Sequence, residues 1–216
     1  MKVFAVLGDY YHKGEWAKAA LDRAVAGNVH EIIEVRAEEL KDWLAEQPDA
    51  VILFKENRLN PQDEDVLHWM TEETEIAITD YVANGGGWLA WHAGLASYNH
   101  EGEYIGMLRG SFDYHPQEHQ IVSYKQTENS PFPAPEFELT DEHYFVHCDT
   151  DQSTVFLESE SVDGSSIAGW YHTYGDGHVC CLTPAHNQEG LLNPYFLQIL
   201  GECVQWTLKR YPVDQK

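Results

Sequence analysis

The chain has 216 residues, 43% hydrophobic and 12% aromatic, enough for one α/β domain with a sizeable core and little room for a second. Thirteen Lys+Arg against 36 Asp+Glu leave a formal charge of −23, with twelve histidines outside that sum. That balance excludes the basic face that nucleic acid or an anionic membrane requires. The acids are spread among Tyr, Phe and Trp, even where no Lys or Arg falls between Lys125 and Lys209, and predict a solvated acidic surface.

Val3–Leu7 is an apolar run ended by Gly8 and Asp9. It is too short for a signal-peptide core and predicts a buried first strand. No run approaches the roughly 20 apolar residues of a membrane span. A helix is predicted over Glu15–Val25, with Trp16, Ala19, Ala20 and Leu21 as its apolar positions and Gly27 beyond its end. His30–Val35 predicts a strand, Ala37–Glu46 a helix stopped before Pro48, and Ala50–Phe54 a third strand. Asn60-Pro61 and the acids Asp63 to Asp65 predict a helix start, with a break near Thr71 and a continuation to Val82. Trp88–Trp91 is the fourth strand. This alternation predicts a mainly parallel sheet covered on both faces, forming a single domain over 1–216.

The second half is richer in strands, at Gln120–Tyr124, Ser153–Leu157, Ser166–Tyr171 and His178–Thr183. The proline-rich stretch from Ser130 to Pro135 predicts an extended connection. Asn193-Pro194 opens a final helix with Phe196, Ile199, Leu200, Cys203 and Thr207 along one face. Cys148, Cys180, Cys181 and Cys203 form no Cys-x-x-Cys pair and predict reduced, mostly buried thiols in a cytoplasmic protein. Cys180 and Cys181, adjacent in a strand, are expected to face opposite ways.

Ligands of an open parallel sheet sit beyond the carboxyl ends of its strands. Here those ends carry Tyr10, Tyr11 and His12 after the first strand, Glu56 and Asn57 after the third, His92 after the fourth and His186 after a late one. Around His92 the order Ala90-Trp91-His92-Ala93-Gly94 places small residues two before and two after a polar one, as in a tight strand-to-helix turn. Hydrolases hold Ser at such a place and glutaminases Cys; a histidine there suits a general base or a metal ligand. His115 precedes Pro116, and Thr140-Asp141-Glu142-His143-Tyr144 gathers two carboxylates and an imidazole. Thr140–Glu142 also reads as a helix cap with acids in the first turn. His30, His68, His100, His119, His147, His172 and His178 read as surface or packing residues.

Gly85-Gly-Gly with Trp91-His92-Ala-Gly94, Gly110-Ser-Phe with His115-Pro116, Phe137-Glu-Leu-Thr-Asp141-Glu142-His-Tyr144, Trp170 with Tyr174-Gly-Asp-Gly177, and His186 together resemble the trehalose-utilisation (ThuA-like) family. The resemblance runs from Gly85 to Trp206. It implies a class I glutamine-amidotransferase-like fold, a flavodoxin-like three-layer α/β sandwich with a mainly parallel sheet. It also implies no glutaminase activity, because His92 occupies the nucleophile's place and Pro184-Ala-His186-Asn-Gln188 lacks the His-Pro-Glu trio. Two positions depart from the family pattern: Ala185 stands for a glycine, and His178 for an arginine common among members.

The resemblance implies a sugar-metabolism enzyme acting on a disaccharide or its keto derivative by isomerisation, elimination or hydrolysis. In that reading His92 is the base, and Glu142 or Asp141 orients it or acts as acid. His12, His115 and His186 bind substrate or metal, Tyr10, Tyr11 and Trp91 face a sugar ring, and Glu56, Asn57 and Tyr144 complete the substrate site. Zinc or another divalent ion on His92, His115 and His186 is the metal expectation, with no nucleotide cofactor. The partners expected are a small sugar and, in a homo-oligomer, further copies of the chain. A non-catalytic sugar-binding or regulatory protein and a zinc-dependent hydrolase are the competing readings.

Overall fold

The computed structural model describes residues 1–27, 31–128, 130–133 and 135–210. In chain order the elements are β1 (Lys2–Leu7), α1 (Gly14–Ala24), β2 (Glu31–Glu34), α2 (Leu40–Trp43), β3 (Ala50–Phe54), α3 (Glu72–Ala83) and β4 (Gly87–Trp91). There follow α4 (Glu103–Leu108), β5 (Gly110–Tyr114), β6 (Gln120–Gln126), β7 (Phe137–Asp141) and β8 (Phe145–Cys148). The chain ends with β9 (Thr154–Ser161), β10 (Gly164–Tyr174), β11 (Gly177–Leu182), α5 (Gln188–Leu191) and α6 (Pro194–Thr207).

Nine strands form one sheet in the order β2-β1-β3-β4-β11-β10-β9-β6-β7, and β5 pairs with β8 apart from it. The first five are mutually parallel. The remaining strands continue antiparallel. The parallel half has the flavodoxin winding, whose order reverses between β1 and β3 and opens a crevice at their carboxyl ends.

Every residue of β3, β4 and β11 is buried. This is why these segments read as continuous apolar runs: helices cover both sheet faces. Alternation sends Val3, Ala50, Leu89 and Cys180 to one face, against Ala17, Leu21, Phe196 and Leu200 of α1 and α6. Phe4, Val51, Trp88 and Cys181 go to the other, against Ile78, Val82 and Tyr104 of α3 and α4. The two adjacent cysteines therefore face opposite ways, as expected.

Several expectations are corrected. No helix runs through 60–71; α3 starts at Glu72, with the Thr71 hydroxyl accepting from the Thr74 amide. The Asn60 side chain instead closes a loop, accepting from the Leu67 amide at 2.6 Å and donating to the Asp65 carbonyl at 2.9 Å. The acids that follow supply no apolar face for a helix to bury. Thr140–Glu142 is no helix cap: β7 alternates buried and exposed residues and pairs antiparallel with β6. The helix expected over Ala37–Glu46 divides into α2 and a 3-10 turn on either side. His30, expected to open β2, and Ala134 of the proline-rich connection lie outside the described residues.

Candidate active site

The loop after β1 is organised by one side chain. Asp9, fully buried, accepts from the amides of Tyr11 and His12 through Oδ1 and from the amide of Glu56, beyond β3, through Oδ2. It also takes the Nδ1–H of His12 at 2.7 Å. Burial pushes its pKa up, but the His12 imidazole and the amides hold it below the usual value. A carboxylate can only accept here, so His12 donates from Nδ1 and leaves Nε2 turned away from Asp9. That nitrogen is buried and has no hydrogen-bond partner among the described residues.

His92 follows β4 in the turn that the sequence predicts. Its φ of 47° is left-handed, a strained conformation for a non-glycine residue. Gly94 makes the turn feasible, since a Cβ there would lie 2.3 Å from the Leu53 carbonyl. His92 donates its Nδ1–H to the Thr183 carbonyl, beyond β11, at 2.6 Å. Its ring stacks on Tyr144 at 4.2 Å. The imidazole is fully buried, and burial pushes its pKa down to about 4, so it is neutral near pH 7 with Nε2 bare.

The loop after β11 brings in His186. Its amide donates to Asp141 Oδ1 at 2.8 Å, and Asp141 Oδ2 accepts from the Tyr124 hydroxyl at 2.9 Å. Asp141 is fully buried, and burial pushes its pKa up to about 6 against those hydrogen bonds. It is therefore turned away from the site and positions His186; its expected acid role is corrected. Glu142, next along, turns the other way. Its Oε2 lies 3.0 Å from His186 Nδ1 and 3.5 Å from His92 Nε2, while those two nitrogens are 3.4 Å apart. Burial would raise the Glu142 pKa, but the His186 imidazole holds it far below the carboxylate range. Burial likewise opposes, and Glu142 enforces, a raised pKa at His186.

One donor atom from each of His12, His92, Glu142 and His186 lies within 4.8 Å of the others, three imidazoles and a carboxylate of the kind that holds a divalent metal. His115 is not in this set. Its Nδ1 is held at 2.8 Å from the Pro116 carbonyl, and its Nε2 is 3.9 Å from Glu142 Oε1. Thus His115, expected with His92 and His186 as a metal ligand, lies outside this donor set, and His12 lies within it. His119, expected as a surface or packing residue, is exposed and reaches Glu142 Oε1 at 3.7 Å, as His115 does at 3.9 Å. Sequence reasoning also missed Asp9. The signals were an acid directly after the first strand and a second histidine four residues beyond His115.

The other expected residues divide between mouth and interior. Tyr10 and Tyr11 are exposed and meet edge to face at 4.9 Å, with the Arg58 guanidinium 5.9 Å above the Tyr11 ring. Glu56 is buried; Oε2 accepts from Arg58 and Ser97, while Oε1 has no partner among the described residues. Asn57 accepts the Met70 amide and so braces its own loop. Tyr144 is buried between His92 and Phe112 and forms a wall. Trp91 cannot face a sugar. It is fully buried against Phe54 and Phe196, and its indole donates to the Pro184 carbonyl, because β4 alternation sends it into the core.

A flavodoxin-like α/β sandwich with a histidine-rich site beyond its parallel strands is the class of protein these features define. The chain belongs to the ThuA family, described as trehalose utilisation, whose family model matches residues 3–207. Among curated proteins no sequence matches it. A ThuA-like protein from Parabacteroides merdae superposes with a TM-score of 0.73 at 14% identity, over 100% of this chain and 92% of that one. A cytoplasmic protein from Salmonella typhimurium gives 0.62 at 17% identity, over 97% and 99%. A β-galactosidase from Rahnella sp. R3 gives 0.62 at 13% identity, over 96% of this chain but 31% of that enzyme. At these identities the likeness is one of fold. Among the described residues no helix is long and apolar enough to cross a membrane.

Proposed function

We propose that this chain is a sugar-metabolism enzyme that moves a proton at the carbon beside the carbonyl of an oxidised disaccharide. The observation that carries the reading is the convergence of His12, His92, His186 and Glu142 on one point, with His115 and His119 at its mouth. Membership of a family described as trehalose utilisation supports a disaccharide-derived substrate.

In this reading the two deeply buried imidazoles, His12 and His92, form the floor. His186, with 17% of its side chain exposed, faces the substrate oxygen, and Glu142, 14% exposed, orients it from 3.0 Å. His115 and His119, about a third exposed, take the proton. The role of base thus passes from His92, which is sealed, to the mouth. When the C–H bond breaks, the proton goes to a mouth imidazole and the electron pair into an enolate, whose oxygen accepts an N–H from the His186 imidazole. Returning that proton to the former carbonyl carbon, as the adjacent hydroxyl's proton passes to the enolate oxygen, gives isomerisation; expelling the glycosidic oxygen from the next carbon, with the mouth imidazole's proton passing to the leaving oxygen, gives elimination. A two-carboxylate glycosidase fits less well, since Asp141 is turned toward Tyr124 and Glu142 stands without it.

The test is proton exchange. Purified protein with trehalose oxidised at one ring hydroxyl, in deuterated water, should place deuterium beside the carbonyl, read by NMR. His115→Ala with His119→Ala should abolish the exchange. Absence of exchange and of product with any keto-disaccharide would overturn the proposal.

A further inference from the structure

We infer that His12, His92, His186 and Glu142 form a divalent-cation site, best matched to zinc, with Asp9 and the Thr183 carbonyl as its outer support. Ligands about 2.0–2.1 Å from a tetrahedral zinc stand roughly 3.3 Å from one another. The three separations among Glu142 Oε2, His92 Nε2 and His186 Nδ1 are 3.0, 3.4 and 3.5 Å, spread about that spacing. The fourth donor, a ring nitrogen of His12, closes the set within 4.8 Å.

The second observation is independent of the first. His12 Nε2 is buried without a hydrogen-bond partner among the described residues, in a side chain only 6% exposed. A buried polar nitrogen with no partner is rare in folded proteins. Its ring lies 5.0 Å from that of His92 and 4.7 Å from that of His186, so it looks onto the other donors.

The third is the outer arrangement. Metal-bound histidines nearly always donate their other N–H to a carboxylate or a backbone carbonyl, which fixes the tautomer and the ring. His12 does so to Asp9, and His92 to Thr183. These hydrogen bonds are directed away from the cluster, and both leave Nε2 facing it. Three imidazole nitrogens and one carboxylate oxygen suit zinc over calcium or magnesium, which prefer oxygen donors. This deepens the proposed function and rests on it in one respect only: a cation here would hold the enolate oxygen as an added ligand.

The experiment is metal loading of chelator-stripped, untagged protein with Zn(II), read by equilibrium dialysis and elemental analysis, with Co(II) visible bands as a second readout. Wild type should bind one ion per chain. His12→Gln and Glu142→Gln should each weaken binding at least tenfold, whereas His115→Ala and His147→Ala should retain it. Asp9→Asn should weaken it about 10–100-fold, with circular dichroism of the metal-free variants unchanged from wild type. Failure of Zn(II), Co(II) and Mn(II) to bind folded wild type, or equal affinity in His12→Gln, overturns the site. Binding as expected without turnover of any keto-sugar upholds the site and defeats the proposed function. Full turnover by metal-free protein upholds that function and overturns the catalytic part of the inference.

Discussion

The Asp9 carboxylate takes the Nδ1–H of His12 at 2.7 Å and, through its other oxygen, the amide of Glu56 at 2.9 Å. One side chain thus sets the tautomer of an imidazole and ties the loop after β1 to the loop after β3. These are the two strands between which the sheet order reverses. Asp9→Ala would leave three amides and an imidazole N–H without their acceptor. Unmet buried donors cost about 1–3 kcal/mol each where water cannot replace the partner. The expected loss of unfolding free energy in urea is therefore at least about 2 kcal/mol, with Asp9→Asn less affected. A loss within about 0.5 kcal/mol, as for an ordinary surface substitution, would show that Asp9 does not hold these loops.

The site's other buckle is Asp141, which joins Tyr124 of β6 to the backbone of His186. Asp141→Asn turns one accepting oxygen into a donor facing a donor, and is expected to cost about 2 kcal/mol. Tyr124→Phe removes a single neutral partner and should cost about 1 kcal/mol. Because the two touch, their effects should not add; a double-mutant cycle should give a coupling of about 0.5–3 kcal/mol. Strict additivity would separate Asp141 from Tyr124 and leave His186 without the brace described here.

The parallel half of the fold was legible because β1, β3, β4 and β11 are apolar runs ended by glycine or polar residues. Burial on both faces produces that pattern. The same logic placed His12, His92 and His186 at strand ends, hence on one edge. What escaped was structure set by closure between distant segments. Asp9 shows its role only when the Glu56 amide arrives from β3, and His119 only when its loop folds over Glu142. β5 and β8 pair with each other in four or five residues with no apolar run to announce them. Trp91 illustrates the converse: it lies beside His92 in sequence, but strand alternation sends it to the core.

Gly94 tests the turn that presents His92. A Cβ at this position would lie 2.3 Å from the backbone carbonyl of Leu53, which cannot give way without moving β3. Gly94→Ala should lower stability by about 1–3 kcal/mol, the usual cost of overpacking. It should also reduce turnover more than Tyr11→Ala, which alters an exposed ring at the mouth and should act on KM. Equal stability of Gly94→Ala and wild type in urea would argue against the tight turn.

A pH dependence is built in away from the site, at His172. Its Nε2–H donates to the Met107 carbonyl at 2.8 Å, and its Nδ1 lies 3.4 Å from the Ser153 hydroxyl. Burial pushes its pKa from 6.5 down to about 4; the Met107 hydrogen bond works against that shift, Arg109 adds to it, and Asp149 opposes it. Between those values the unfolded chain binds the proton that the folded chain refuses, so stability rises with pH through the window and is complete above about 6.5. A shift of this size is worth about 3 kcal/mol, at about 1.4 kcal/mol per pH unit. Unfolding free energies of wild type and His172→Gln, compared from pH 4.5 to 7.5 in urea, should diverge by that slope. His92, also near 4, contributes equally to both proteins and cancels in the difference. Parallel curves would mean that His172 takes up its proton in the folded state as readily as in the unfolded chain.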